Sequence, residues 1–303
     1  MDKPKYLYHY TSQEGLLGIL QTNKLWMTNI LYLNDSSEFT HTLDLVKSEL
    51  GNRMNHLGKL PADFKSFEWE DMGINTKRYT VYNDMKSDFD FTHSDMRPNI
   101  YVFSLSKEKN DLSQWRGYCP NGIGFCIEFN TEKLLNTIKE TKYDLIKCIY
   151  DKEEKETIVK LLFDSLESLF ESGSKNKQDL SYLEPGFKTI KISYKGKIEI
   201  IHYLQIMDVS PRMKDESFKN ENEYRIVQKV KSNEKKYRQG NSMIIPYIEG
   251  VLVDDDNKLP ISKIIVGPTP HPELSKLSVE SLLKSEKYKG VEVEISKIPY
   301  RSW

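Results

Sequence analysis

The chain is poor in the residues that most recognisable site chemistry requires. It carries three cysteines, Cys119, Cys126 and Cys148, in 303 residues. The count is odd, the neighbours are apolar or aromatic, and no two cysteines stand at metal-ligand spacing. That excludes a disulfide framework and reads as small buried thiols in a reducing compartment. The six histidines (His9, His41, His56, His93, His202 and His271) are scattered. None pairs with another histidine or a cysteine at ligand spacing, so no zinc site, and no bound metal of any kind, is expected. Long apolar runs are also missing. None approaches the roughly 18 residues of a membrane helix, and the opening MDKPKYLYHY has no uninterrupted apolar signal core. The expectation is a cytoplasmic protein with no membrane partner.

Charge of either sign is not in excess. Lys and Arg number 44 against 45 Asp and Glu, a formal net charge of -1. Global charge therefore offers no electrostatic footprint for nucleic acid or membrane, although a local basic patch stays open. Glycine signatures are absent too. Gly122 and Gly124 precede a strand pattern, but the third glycine and the following helix of a dinucleotide fingerprint are lacking. There is no P-loop and no Gly-x-Ser-x-Gly elbow. No internal repeat or low-complexity tract was found.

What remains is a chain with 38% hydrophobic and 29% charged residues, long enough for a sizeable core. YLYHY at 6–10 reads as a short aromatic strand, and Thr11 or Ser12 can cap the helix whose apolar face is Leu16, Leu17, Ile19 and Leu20. LWMT at 25–28 can form a second strand, and Phe39, Leu43, Val46 and Leu50 predict a helix over about 36–50. Strand patterns follow at 100–105, 123–129, 223–230, 242–248, 262–267 and 291–296, with helices expected at 152–171, 194–207 and 273–287. The stretch 107–122 reads as a turn with an exposed Trp-Arg pair, and SGSKNKQD at 172–179 as a flexible joint. The expectation is an α+β fold: one domain over 1–303, a mixed or antiparallel sheet, and insertions at about 51–98 and 151–207.

Three stretches are dense in functional side chains: YHYT (8–11), SLSKEKNDLSQWRGY (104–118) and FKNENEYRIV (218–227). Glu221 and Glu223 stand two apart at the start of a strand pattern, and period two would put both carboxylates on one face. Two close carboxylates repel, which raises the proton affinity of one. The plainer alternative is two solvated glutamates on an edge strand with Arg225 or Lys219 alongside. His9, among tyrosines, could donate to a ligand hydroxyl or carbonyl, or be a half-buried histidine bonded to backbone. Trp115, Arg116 and Tyr118 combine a guanidinium with aromatic rings, which suits a phosphate or a flat ring. The alternative there is an arginine tied to an Asp or to carbonyls.

The segments YLYHYTSQEGLLGIL, LWMTNILYLNDSSEF, FSLSKEKNDLSQWRGY, GIGFCIEF, FKNENEYRIV, IIVGP and SKIPYR resemble, in order and spacing, the bacterial family catalogued as domain of unknown function 2971. The layout is also similar to the ADP-ribosyltransferase superfamily. That resemblance implies a split mixed sheet with an NAD cleft, and a bacterial enzyme of the toxin or phage-defence kind that transfers ADP-ribose from NAD to a protein or nucleic-acid acceptor. His9 matches its first-strand position, Ser104 or Ser106 its middle strand, and Glu221-Asn222-Glu223 its Glu-x-Glu form. Carried over, Glu223 would stabilise the ribosyl cation, Glu221 would activate the nucleophile, and His9 with Thr11 would meet the adenosine-side ribose. Arg116 would hold the pyrophosphate, and Tyr10, Trp115 or Tyr118 would stack on nicotinamide. A nucleotide-binding module without turnover, or a hydrolase using the two glutamates, are the competing expectations.

Overall fold

The computed structural model describes residues 3–35, 38–58, 73–89, 99–119, 123–139, 141–171, 208–230, 235–240 and 242–300. In chain order the elements are β1 (Tyr6–Thr11), α1 (Gln13–Thr22), β2 (Leu25–Asn29), α2 (Glu38–His56), α3 (Ile74–Phe89), β3 (Ile100–Ser106), α4 (Leu112–Tyr118), β4 (Phe125–Asn130), α5 (Thr131–Ile138), β5 (Asp144–Lys147) and α6 (Lys152–Glu171). Then come β6 (Glu223–Lys229), β7 (Lys236–Gln239), β8 (Ile244–Gly250), β9 (Ile261–Val266), α7 (Pro272–Ser285) and β10 (Glu292–Ile295). Among the described residues no helix is long and apolar enough to cross a membrane.

The chain divides into two compact units. The second comprises Asn34–Pro98 and Ile149–Glu216, so both stretches expected as insertions fall within it. It is helical. Arg53 on α2 reaches Glu49, Asp164 and Glu167 at 2.6–3.0 Å, and the Tyr82 hydroxyl donates to Glu167 at 2.7 Å. Lys155 is buried and its ammonium donates to the Lys214 carbonyl and lies 3.2 Å from His41 Nε2. Burial lowers the proton affinity of both Lys155 and His41.

The first unit comprises Met1–Leu33, Asn99–Cys148 and Ser217–Trp303. It holds a mixed ten-stranded sheet, ordered β10-β9-β4-β1-β3-β2-β8-β7, with β6 on β3 and β5 on β6. All pairings are antiparallel except β9 with β10. One detail positions the site. β6 pairs with β3 along its whole length, from Ile100 to Ser106. A strand has two edges, so β1 and β2 must share the other. β1 meets β3 at Ser106, and β2 meets it at Tyr101 and Val102. Residues 103–105 therefore lie in a gap where β1 and β2 part, and the sheet is split there.

Strand alternation then sorts side chains by face. Leu7, Phe103, Leu105, Ile127, Ile226 and Ile264 belong to the main core, which α1 covers with Leu16, Ile19 and Leu20. On the other face Tyr8, Tyr10, Cys126 and Ile265 pack with Trp115 and Cys119 in a smaller core. Both faces of the sheet are thus anchored by apolar burial.

Several expectations change. DLSQWRGY is a helix, not a turn: Asp111 Oδ1 accepts from the backbone N–H groups of Ser113 and Gln114 and caps α4. Trp115 is not exposed but fully buried. It packs edge-on against Tyr10 at 4.9 Å, and a side chain at Gly267 would meet its ring at 2.7 Å. β5 and β7 are four-residue strands that were not anticipated. The three cysteines are buried and form no disulfide, as expected. The expected helix at 194–207 and the joint at 172–179 lie outside the described residues.

Candidate functional site

A pocket open to solvent lies on the smaller-core face, lined by Tyr8, His9, Tyr10, Ser104, Leu105, Ser106, Gln114, Tyr118, Glu221 and Glu223. Its floor is a row across three strands, since Tyr8 pairs with Ser106 and Ser106 with Glu223. Ser104 and Arg225 form the next row. The wall comes from α4, and the rim from the turn before β6.

That turn is not the extended start of a strand. Residues Glu216–Glu221 form a 3-10 helix, and Asn222 adopts a left-handed conformation, φ 43. The two-residue alternation expected for Glu221 and Glu223 does not apply, yet both carboxylates border the pocket. Ser106 fixes this arrangement. Its hydroxyl donates to the Glu221 carbonyl at 2.7 Å and accepts from the Glu108 N–H at 2.9 Å. Asn222 donates its amide to Glu108 Oε1.

The two carboxylates differ. Glu223 is 3% exposed and takes Arg225 Nε on one oxygen and Nη2 on the other, each at 2.9 Å. Arg225 is itself fully buried, and the Cys148 thiol lies 3.7 Å from Glu223 Oε2. This is a buried, bidentate ion pair. Glu221 is half-buried and accepts from the Tyr118 hydroxyl at 2.9 Å. Burial, then the charges of Glu223 and Glu221, push the Tyr118 phenol above its ordinary range. Tyr118 therefore keeps its proton and acts as donor.

His9 borders the pocket, but its side chain alternates to the face opposite Tyr8, Ser106 and Glu223. The ring stacks on Phe103 at 4.0 Å, and Nδ1 lies 2.9 Å from the Ser104 carbonyl oxygen, within the gap of the split sheet. A carbonyl only accepts, so Nδ1 bears the hydrogen. Burial, opposed by that hydrogen bond and reinforced by Arg238, pushes the imidazole down to about 4. The neutral ring then offers Nε2 as an acceptor, and the donor role expected of His9 is corrected accordingly.

The other expected residues separate. Tyr10 borders the pocket, but its hydroxyl donates to the Glu108 carbonyl and accepts from the Asp111 N–H. It clamps the loop that leads into α4. Thr11 is buried and its carbonyl faces the Cys119 thiol. Trp115 donates from Nε1 to Asn110 Oδ1 beneath the loop. Arg116 is exposed and lies over the Tyr300 ring at 5.0 Å. Thr11, Trp115 and Arg116 do not line the pocket, so stacking on Trp115 and a pyrophosphate contact from Arg116 have no geometric basis here.

Gln114 was missed. It is 4% exposed, lines the pocket, and its side-chain amide bonds to no described residue. The Ser104 hydroxyl likewise has no partner among them. The capping pattern of Asp111 ahead of an apolar Leu112 was the available signal, because it turns residues 112–118 into a helix with Gln114 and Trp115 on its inner side. Among the described residues no group of three or more His, Cys, Asp or Glu is placed to hold a metal.

A family model described as "Protein of unknown function (DUF2971)" matches residues 114–226. The match begins within α4, takes in Gln114, Tyr118 and both glutamates, and leaves His9, Ser104 and Ser106 outside. No curated protein matches the chain, and no solved structure matches it.

Proposed function

We propose that this pocket binds the ribosyl part of a nucleotide and that the protein is an ADP-ribosyltransferase-like enzyme with NAD as substrate. One observation carries the reading. His9, Tyr10, Ser104, Ser106, Tyr118, Glu221 and Glu223, drawn from three distant stretches of chain, border a single pocket at the split of the sheet. The pocket is open to solvent and encloses little space of its own, so a ribose would set its hydroxyls against the lining and most of a dinucleotide would lie outside it. No cation free to meet the pyrophosphate is among the lining residues.

The chemistry asked of the site is cleavage of the bond between ribose C1 and the nicotinamide nitrogen. The electron pair leaves on nicotinamide, positive charge develops on the sugar, and an acceptor nucleophile closes on C1 and gives up its proton to the Glu221 carboxylate. A nearby carboxylate stabilises the developing charge. In this reading Glu223, held by Arg225, faces the ribose and supports the developing charge, and Glu221, which also takes the Tyr118 hydroxyl, receives the acceptor's proton.

The Glu223–Arg225 pair also favours a second reading, in which the pocket binds a nucleotide without turnover. Nicotinamide release from NAD, measured beside NAD binding, separates the two. Release that is lost in Glu221→Gln supports the enzyme; binding without release supports the module. Neither binding nor release overturns both.

A further inference from the structure

We infer that Gln114, with Ser104, is the specificity-determining donor of this pocket and that the group it reads is a sugar diol. The inference rests on the reading of the pocket as a ribosyl site and goes beyond it by naming the residue that selects the ligand. A buried polar side chain ordinarily finds a partner, because leaving it unpaired costs about 1–3 kcal/mol. Gln114 is 4% exposed and its amide bonds to no described residue. Its backbone is nonetheless fixed. The Asp111 carboxylate caps the helix beneath it, and Asp111 is itself held by the Tyr10 hydroxyl. Trp115, the next residue, is locked in the smaller core. The amide is therefore held in place with no described protein partner, open to solvent through the pocket that it lines.

The pocket's polar groups are complementary as a set. Glu221 and Glu223 are acceptors only, while Gln114 and Ser104 supply the unused donors, and each of these two also accepts. Adjacent hydroxyls on a ring are donors and acceptors at once. They can give hydrogens to the carboxylates and receive them from the amide and the serine. An apolar or purely anionic ligand would leave part of this set unpaired.

The test is a cycle between a variant and a ligand. Binding of NAD and of ADP-ribose is measured by calorimetry for wild type and Gln114→Met, together with the counterparts of each ligand lacking one ribose hydroxyl. Gln114→Met keeps the volume and removes the donor. It should leave the melting temperature unchanged or raise it, since no described partner is lost. Affinity for NAD and ADP-ribose should fall at least about tenfold. At least one deoxy ligand should bind both proteins alike, because the contact it lacks is the one the variant lacks. If wild type binds ADP-ribose with this pattern but releases no nicotinamide from NAD, the inference stands and the catalytic reading falls. Equal binding by wild type and Gln114→Met overturns the inference and leaves that reading intact. A marked loss of stability in Gln114→Met shows a structural glutamine and overturns the inference. No binding of any of these ligands by wild type overturns both.

Discussion

Replacing Glu223 by glutamine should damage the fold before it informs on catalysis. The carboxylate and its partner Arg225 are 3% and 0% exposed, and both oxygens are used by the guanidinium. Glu223→Gln keeps the shape but takes from the buried guanidinium the carboxylate that both Nε and Nη2 donate to. Removing one partner of such a pair costs about 3–5 kcal/mol. At about 2–4 °C per kcal/mol, the melting temperature should drop by about 6–20 °C. Arg225→Met should fall in the same range, because it removes both of the guanidinium's hydrogen bonds from the buried carboxylate. The double variant Glu223→Gln/Arg225→Met should recover part of the loss, since neither charge is then buried alone. Differential scanning calorimetry at neutral pH measures all three. A Glu223→Gln melting point within about 2 °C of wild type would refute the argument, as would a double variant no better than the sum of the singles. The consequence for function is direct: loss of activity in Glu223→Gln must be read against the folded fraction, whereas Glu221→Gln, at a half-buried carboxylate, gives the cleaner reading.

Other outcomes follow from the same geometry. His9 is held near 4 in the fold against about 6.5 unfolded, so both states are neutral above that upper value. As pH falls from about 6.5 toward 4 the unfolded chain takes up a proton that the native chain refuses. Wild-type stability should therefore decline through that window, and the decline should be shallower in His9→Gln, whose amide can still donate to the Ser104 carbonyl; parallel melting curves for the two proteins across pH 7 to 4 would contradict the assignment. Trp115→Ala should cost about 3–5 kcal/mol by emptying the smaller core, while Arg116→Ala, on the exposed side of the same helix, should change stability by no more than about 0.5 kcal/mol. Chemical denaturation of the two variants checks the contrast, and equal losses would place Trp115 outside the core.

Much of the sheet was legible because period-two runs such as IYVFSLS and EYRIVQK are long and apolar on at least one face. The four-residue strands β5 and β7 carry too few alternations to rise above their polar surroundings. The split was not readable from periodicity. It depends on two strands sharing one edge of β3, a long-range pairing that only tertiary structure specifies. At the site, the density of polar and aromatic residues marked the correct stretches, but not each side chain's direction. His9 makes the backbone hydrogen bond of its plainer alternative, whereas Glu223 has the arginine partner of its own but is buried, on a strand paired on both sides, rather than solvated at an edge. Reading α4 as a turn had two consequences. It left Trp115 outside the core, and it hid Gln114, whose lack of a partner among the described residues only a three-dimensional structure shows.

The most direct test of the central claim is nicotinamide release from NAD by wild type and by Glu221→Gln, assayed side by side at equal folded concentration. The account predicts measurable release by wild type and its loss in the variant with NAD binding retained. Undiminished release by Glu221→Gln would contradict it.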